Sequence, residues 1–549
     1  MTDTSPGASH RSLAPRTPGT PPGRRKLTLV GGQPVRNCRT VGAERGEPGS
    51  TPTPARPPVT PLADAVARLR QESVASFHAL PWSGGKALRD SASRQQYVDL
   101  FGDDFWNADV SYSGPVLDSF FRPVGPLDHA QHEAAEAFGA TYTFFITAGT
   151  TLANQVALDA VAGPHSRVLV DPTGHQSVHF ASAWSAATID YGRDTGQQVP
   201  AAPPVADLAE MVDQVARAER AGRPYHVVVL SASSYDGVLY DLVEVFDACL
   251  AASPGLTFVV DEAWTAVHAF HPRLRGRTAL AAAQTVARRR GTPPPVLVTH
   301  SAHKSMTAAR QGSYLHVLGS ADLVEAVRQA IFRRHTTSPS MPILVSLDLA
   351  RAHAQQDGHR LLDRALRLAR RFRDTLERDP RLAGFGIRPV LPARPDLAGY
   401  LSQDPLRVVV NASGSGLTGG ELRTILFRDY RVYISRAFDE GFLLNFHIGV
   451  DDPEVDRLLD ALRSIAARRA TRGRMAHVEV RRPGEPVQEI VIAYPPGVPV
   501  AYPGDTWTGD LRRSVEAHQR AGAELFAAPA RSPASASDPM PSLPAQSRV

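Results

Sequence analysis

Between Tyr142 and Thr299 the chain alternates short runs of Val, Leu, Ile and Phe with longer stretches whose apolar positions recur every three or four residues. The short runs are YTFFI (142–146), SRVLV (166–170), ATI (187–189), YHVVVL (225–230), LTFVVD (256–261) and PVLVT (295–299). Their length and branched content predict strands covered on both faces, and intervals such as TLANQVALDAVA (151–162) predict the helices that cover them. This pattern is that of an α/β protein with a mostly parallel central sheet.

The flanking segments are organised differently. PLADAVARLRQESVASFHAL (61–80) predicts a leading helix, and the PWSGG sequence after it predicts a turn. LVEAVRQAIFRR (323–334) and LLDRALRLARRFRDTLERD (361–379) predict two further helices. A second, smaller mixed region comes next, with LRVVVNAS, LRTILFRDY, FLLNFHIGV and VDRLLDALRSIAARR in turn. The expected organisation is a Pro/Gly-rich basic tail over 1–60, a lead-in segment over 61–130 and a large domain over 131–345. A small α/β domain over 346–475, a C-terminal region over 476–525 and a second tail over 526–549 complete it. The tails carry too few apolar side chains to build a packed core and are expected to be disordered.

Charge changes the picture only once it is located. The 549 residues carry a formal net charge of +5, but residues 1–60 hold nine basic and three acidic side chains, so the rest is close to neutral. The basic balance therefore gives no reason to expect a nucleic-acid-binding body. Two cysteines, Cys38 and Cys249, exclude a disulfide framework or a cysteine-rich metal site. The longest aliphatic runs fall far short of the roughly 20 apolar residues that cross a bilayer, and the first 60 residues lack the apolar segment of a signal peptide. A cytoplasmic protein without a membrane span is expected.

The basic residues narrow the chemistry. Of 60 lysines and arginines only Lys26, Lys86 and Lys304 are lysines, and Lys304 alone lies in the middle of the folded region. Its amine can form an imine with an aldehyde cofactor, which a delocalised guanidinium cannot. Lys304 follows the PVLVT strand, beside Ser301 and His303, which can donate to a phosphate. Gly149, Thr150 and Thr151 sit where the YTFFI strand turns into a helix, a place suited to a phosphate dianion. Asp261 ends LTFVVD at the edge of the sheet and can pair with a pyridinium nitrogen, and His175 in DPTGHQS can lie against a ring. Taken singly, these residues have plainer structural readings: a solvated or salt-bridged lysine, strand-to-helix capping, a capping or buried-pair carboxylate and a satisfied core histidine.

Their order along the chain resembles that of pyridoxal-phosphate enzymes of aminotransferase fold type I, and more narrowly the ornithine/lysine/arginine decarboxylase family. The segments that carry the resemblance are FITAGTTLANQ, DPTGHQSVH, SSYDGVLYD, FVVDEAWTAVH, THSAHKSMTAARQGS, TTSPSMPILVSLD and, late in the chain, AYPPGVPVAYPGD (493–505). The resemblance implies that Lys304 bonds covalently to pyridoxal 5'-phosphate, that Asp261 meets the ring nitrogen and that His175 stacks on the ring. It places Gly149, Thr150, Thr151, Ser301 and His303 around the phosphate, with Trp264, Ser234 and Asp236 near the cofactor and His303 as a candidate proton donor. It further implies decarboxylation of a basic amino acid to an amine, in a homodimer or higher homo-oligomer. An aminotransferase or carbon–carbon lyase on the same fold is the alternative, and a noncatalytic binding module a more distant one. Candidates to recognise the far end of a basic substrate are Asp109, Asp118, Asp439, Glu440 and Asp505. Two departures from the family pattern stand out: FHALPWSGGKAL (77–88) lacks the histidine of the family's Pro-Gly-His turn, and Asp505 stands where a glutamate is typical.

Overall fold

The computed structural model describes residues 57–529, apart from 73–74, 76, 103–107, 111–113, 115–116, 196–203, 393, 468–482, 488, 495–496 and 522. The chain divides into the units Met1–Thr53 and Pro54–Val549, and every described residue belongs to the second. All but the last few residues of the expected N-terminal tail, Cys38 among them, lie outside the described residues.

Eight strands occupy the first half: β1 Tyr142–Ile146, β2 Arg167–Val170, β3 Thr188–Tyr191, β4 Val227–Ser231, β5 Val238–Tyr240, β6 Thr257–Asp261, β7 Val296–His300 and β8 Ser313–Leu318. Seven of them build the central sheet in the order β1-β8-β7-β6-β4-β2-β3. The run from β7 to β3 is parallel, whereas β8 is antiparallel to both β1 and β7. Strand β8 is not foreseen in the hydrophobic pattern because SYLHVL mixes hydroxyl and imidazole groups with its apolar positions.

Alternation along each strand divides the core. Val227 and Val229 face one apolar cluster, and Val228 and Leu230 face another on the opposite side of the sheet. The sheet is thus buried on both faces, as the unbroken apolar runs require. The register aligns Ser231 of β4 with Asp261 of β6, and Asp261 with Thr299 of β7, which gathers three polar strand ends at one edge.

One 38-residue helix, Met341–Arg378, joins the two halves of the molecule. Its Leu344, Leu347, Leu362 and Ala365 pack into the large core, and its Leu368, Ala369, Phe372 and Leu376 into the small one. The domain boundary expected at 345/346 therefore falls inside a continuous helix. Gly358 lies where that helix crosses Phe270; a Cβ there would stand 2.9 Å from the Phe270 Cβ. The fully buried Asp348 and Arg351 of the same helix anchor the leading helix Pro61–Gln71, because Asp348 accepts from Leu62 N and Ala63 N at 3.0 and 3.2 Å. That leading helix stops at Gln71, short of the expected Leu80.

The small domain contributes β9 Gly386–Ile387, β10 Leu401–Gln403, β11 Arg407–Asn411, β12 Arg436–Phe438 and β13 Gly441–Asn445. β10 pairs with β5 of the first half, and the others form an antiparallel sheet in the order β12-β13-β11-β9. The C-terminal strands β14 Glu489–Tyr494, β15 Val498–Ala501 and β16 Glu524–Pro529 form a third sheet beside helix Gly509–Arg520. β16 continues past residue 525 and so runs a few residues into the expected second tail.

Candidate active site

A cavity of about 320 Å³ opens where the polar strand ends meet. Lys304 reaches it from the short helix Ala302–Ser305 after β7, Asp261 from the end of β6, and His175 from the cap of helix Gln176–Trp184 after β2. Gly149, Thr150, Thr151, Ser301, His303 and Trp264 line the same space. The segments that carry these residues are far apart along the chain, and the parallel register brings them together at the carboxyl edge of the sheet.

Asp261 is held on both oxygens. Oδ1 accepts from Ala263 N at 3.0 Å, and Oδ2 accepts from Asn154 Nδ2 at 2.8 Å. The same carboxamide donates to Ser177 Oγ at 2.9 Å and accepts from Thr299 Oγ1 at 2.7 Å, all at buried positions. His175 Nδ1 accepts from Ser177 N, so the neutral ring carries its proton on Nε2. Burial pushes this imidazole down to about 4, against the pull of the Asp261 carboxylate and with the Lys304 charge adding to it. His175 is therefore an uncharged ring at neutral pH.

Burial also holds the Lys304 amine below its ordinary value; Asp261 opposes the shift and Arg407 adds to it. Lys304 Nζ lies 4.4 Å and the Arg407 guanidinium carbon 4.3 Å from the Trp264 ring centroid, with Tyr235 meeting the indole edge-on at 5.1 Å. Arg407 begins β11, so a small-domain cation contributes to the setting of the amine. His303 Nδ1 donates to Gly312 O at 3.0 Å and leaves Nε2 as an acceptor. Burial lowers this imidazole too, opposed by the Gly312 bond and assisted by the charges of Lys304 and Arg310.

The hydroxyl end of the cavity is a connected chain. Thr150 Oγ1 lies 2.6 Å from Ser301 Oγ and 3.1 Å from Ser313 Oγ, and Ser313 donates to His300 O at 2.7 Å. Gly149 adopts φ +74°, which a side chain would strain, and its N–H is taken by Gln311 O at 2.9 Å. An amine, a fixed carboxylate, a neutral imidazole and a cluster of hydroxyls form a donor set that fits an aldehyde-bearing pyridine with a phosphate arm.

Two predicted residues fall elsewhere. Ser234 and Asp236 line a smaller neighbouring cavity of about 70 Å³ with Arg388 and Arg436, while Ser231, Ser233 and Tyr235 face the larger one. Ser234 Oγ accepts from Val238 N, closing the turn before β5, and Asp236 lies 3.3 Å from Arg436 Nη1. Burial raises the Asp236 carboxyl, opposed by Arg436, Arg407 and Arg388.

The acids expected to read a basic substrate do not line the larger cavity. Asp118 is consumed by five backbone N–H groups, including Gly125 and Leu127 where helix Pro126–Phe138 begins. Asp439 pairs with Arg520, Glu440 pairs with Arg388, and Asp505 accepts from Tyr502 N. Asp109 stands among partly undescribed residues, and burial raises its carboxyl. Among the described residues Asp261 is the one carboxylate that lines the cavity.

Asn154, Arg310, Arg407 and Val498 were not singled out in the sequence. Asn154 had a signal: it stands four residues after Thr150 and so shares its helix face. Val498 reaches the cavity from the late segment, whose Gly497 O accepts from Gln176 N and whose Tyr502 Oη donates to Pro172 O at 2.8 Å. The C-terminal sheet thus rests on the loop that carries His175.

Residues 60–396 match the family model described as Orn/Lys/Arg decarboxylase, major domain. The chain is 32% identical over 303 residues to the lysine decarboxylase LdcA of Pseudomonas aeruginosa, covering 53% of this chain but 39% of that protein. It is 26% identical over 492 residues to the arginine decarboxylase of Halalkalibacterium halodurans, covering 84% of this chain and 94% of that one. The chain therefore spans less than half of the Pseudomonas relative and nearly all of the Halalkalibacterium one. Its fold matches the Escherichia coli constitutive lysine decarboxylase with a TM-score of 0.66 at 21% identity, over 85% of this chain and 80% of that one. With a major-domain match over more than half its length and Lys304, Asp261 and His175 meeting in one cavity, the chain belongs to the Orn/Lys/Arg decarboxylase family.

Proposed function

We propose that this protein is a pyridoxal-phosphate-dependent decarboxylase that converts a basic L-amino acid (lysine, ornithine or arginine) to the corresponding amine and carbon dioxide. The observation that carries this reading is the convergence of Lys304, Asp261 and His175, from three separate strand ends, on one cavity with a hydroxyl cluster. When bound, pyridoxal phosphate supplies an aldehyde for the amino group and a ring that absorbs the electron pair left by departing carbon dioxide.

The chain's own residues have distinct tasks. Lys304 presents an amine whose depressed basicity leaves more of it uncharged, and hence nucleophilic, at a given pH. Asp261, fixed by Asn154 and Ala263, offers a carboxylate oriented to hold a proton on a ring nitrogen. His175, neutral and tied to Ser177, presents a flat uncharged face. Thr150, Thr151 and Ser301 offer hydroxyls to a phosphate. The acceptor Nε2 of His303 can take up a proton and return it to the substrate α-carbon. Recognition of the substrate's distal cation calls for a carboxylate beyond the described cavity, and a second copy of the chain in a homodimer is its proposed source.

The test is a screen of lysine, ornithine and arginine with added pyridoxal phosphate, scored by mass for amine and carbon dioxide. The expected result is a visible absorbance band, abolished in Lys304→Ala, and one decarboxylated product. Amino-group transfer to a 2-oxo acid without carbon dioxide would replace the reading with an aminotransferase, and retention of the band in Lys304→Ala would remove Lys304 from its role.

A further inference from the structure

The charge balance at the hydroxyl end of the cavity is incomplete without Arg310. Thr150, Thr151 and Ser301 are neutral there, and the Gly149 N–H is already spent on Gln311 O. His303 uses its Nδ1 proton on Gly312 O, and burial keeps its ring neutral. Lys304 is reserved for the aldehyde, and Arg407 sits against Trp264 and donates to Tyr235 O. A phosphate carries close to two negative charges at neutral pH, and neutral donors alone leave most of that charge uncompensated.

Arg310 lines the same cavity as Thr150, Thr151 and His303, and its charge is felt at the His303 ring. Its residue is exposed, and no carboxylate lies within ion-pair distance of its guanidinium among the described residues. The turn that carries it is fixed on three sides. Ala309 N donates to Ser346 Oγ at 2.9 Å, Gly312 N donates to Ala309 O at 2.9 Å, and Gln311 O accepts from Gly149 N. Gln311 adopts φ +73°, a left-handed conformation rare for a residue with a side chain. That turn also has no room to relax at its next position, since a Cβ on Gly312 would stand 2.9 Å from Ala309 O.

We propose that Arg310 is the phosphate-recognising cation of this site and selects the phosphorylated cofactor over its dephosphorylated form. The assignment rests on the pyridoxal-phosphate reading above. A planar guanidinium meets two phosphate oxygens at once, which a lysine ammonium does not reproduce. Arg310 therefore acts on affinity for the phosphate arm and leaves the chemistry at Lys304 untouched.

The experiment titrates the full-length cofactor-free protein with pyridoxal phosphate and, separately, with pyridoxal, reading the visible band and the protein fluorescence. Arg310→Gln is expected to weaken pyridoxal phosphate at least tenfold and pyridoxal less than twofold, with Arg310→Lys between wild type and Arg310→Gln. Added sodium chloride is expected to weaken pyridoxal phosphate binding more in wild type than in Arg310→Gln. Thermal unfolding of the cofactor-free variants, expected to match wild type because the residue is exposed, separates lost binding from lost folding. Equal affinity of wild type and Arg310→Gln for pyridoxal phosphate overturns the assignment, as does an equal loss for both ligands. A wild-type protein that gives no band with pyridoxal phosphate instead overturns the functional reading on which the assignment stands.

Discussion

Asn154 should be the most consequential residue of the site that never touches a substrate. Its carboxamide spends both Nδ2 protons, on Asp261 and on Ser177, and its oxygen receives the Thr299 hydroxyl, all within a fully buried position. Asn154→Ala removes one hydrogen bond to a carboxylate, worth about 2 kcal/mol, and two neutral ones of about 1 kcal/mol each. The expected loss is therefore about 4 kcal/mol, with the Thr299 hydroxyl left buried and without its acceptor. Asn154→Asp keeps the shape but turns a donor into an acceptor 2.8 Å from Asp261, so two carboxylates compete for one site and one must take a proton. It should cost at least as much. Urea unfolding of the cofactor-free proteins measures the stability, and titration with pyridoxal phosphate measures whether Asp261 is still presented correctly. A loss below about 1 kcal/mol in both variants, with unchanged cofactor affinity, would refute the idea that this carboxamide holds Asp261 in place.

Glu262, His300, His316 and Thr143 form a buried chain of contacts at 2.8, 2.9 and 2.8 Å that is satisfied with both imidazoles neutral when each member donates toward Glu262. Glu262→Ala leaves the His300 proton buried without an acceptor and should cost about 3 kcal/mol in urea unfolding, whereas Glu262→Gln, which keeps an acceptor oxygen, should cost less. His175 and His179 are both pushed by burial from 6.5 down to about 4, so the unfolded chain binds protons at a pH where the folded one does not. Their contribution to stability is fully present above pH 6.5 and falls as the pH drops from 6.5 through 4; thermal midpoints should decline over that window, and a midpoint flat to pH 4 would contradict it. Arg407→Met removes a charge that lowers the Lys304 amine, so the pH needed for the visible band to form with pyridoxal phosphate should rise.

The sheet was legible wherever both faces of a strand are apolar, since burial on two sides requires an unbroken run of Val, Leu, Ile and Phe. β8 escaped because His316 and Ser313 break that run, and both are polar for reasons the sequence hides: one completes the chain to Glu262, the other braces Thr150. The SSYDG segment shows a different kind of limit. The chain turns here, with Gly237 N donating to Ser234 O, and the turn sends Ser234 and Asp236 to the neighbouring cavity and Ser233 and Tyr235 to the larger one. The place of Asn154 on the Thr150 face of its helix was visible, but its task was not, because its partners Asp261 and Thr299 lie 107 and 145 residues away. Chemistry carried by residue type, as at Lys304, could be read early; chemistry carried by the course of a turn and by long-range register could not.

The environment of Lys304 is set by parts of the chain that share no strand with it. The large domain supplies the amine, its carboxylate neighbour Asp261 and the Trp264 ring, but the cation that helps depress the amine is Arg407, at the start of a small-domain strand. The lining also includes Val498, held in place through Gly497 and Tyr502 against the loop of His175. Both residues lie beyond position 396, where the match to the major domain of the family ends. Lys304, Asp261 and His175 would all survive in a chain ending there, but the amine would lose Arg407 and gain water where Val498 had stood. Both changes raise its basicity toward that of an ordinary lysine. The depressed basicity of this amine thus draws on burial in the large domain and on a charge from the small one, so its setting extends past the family's major domain.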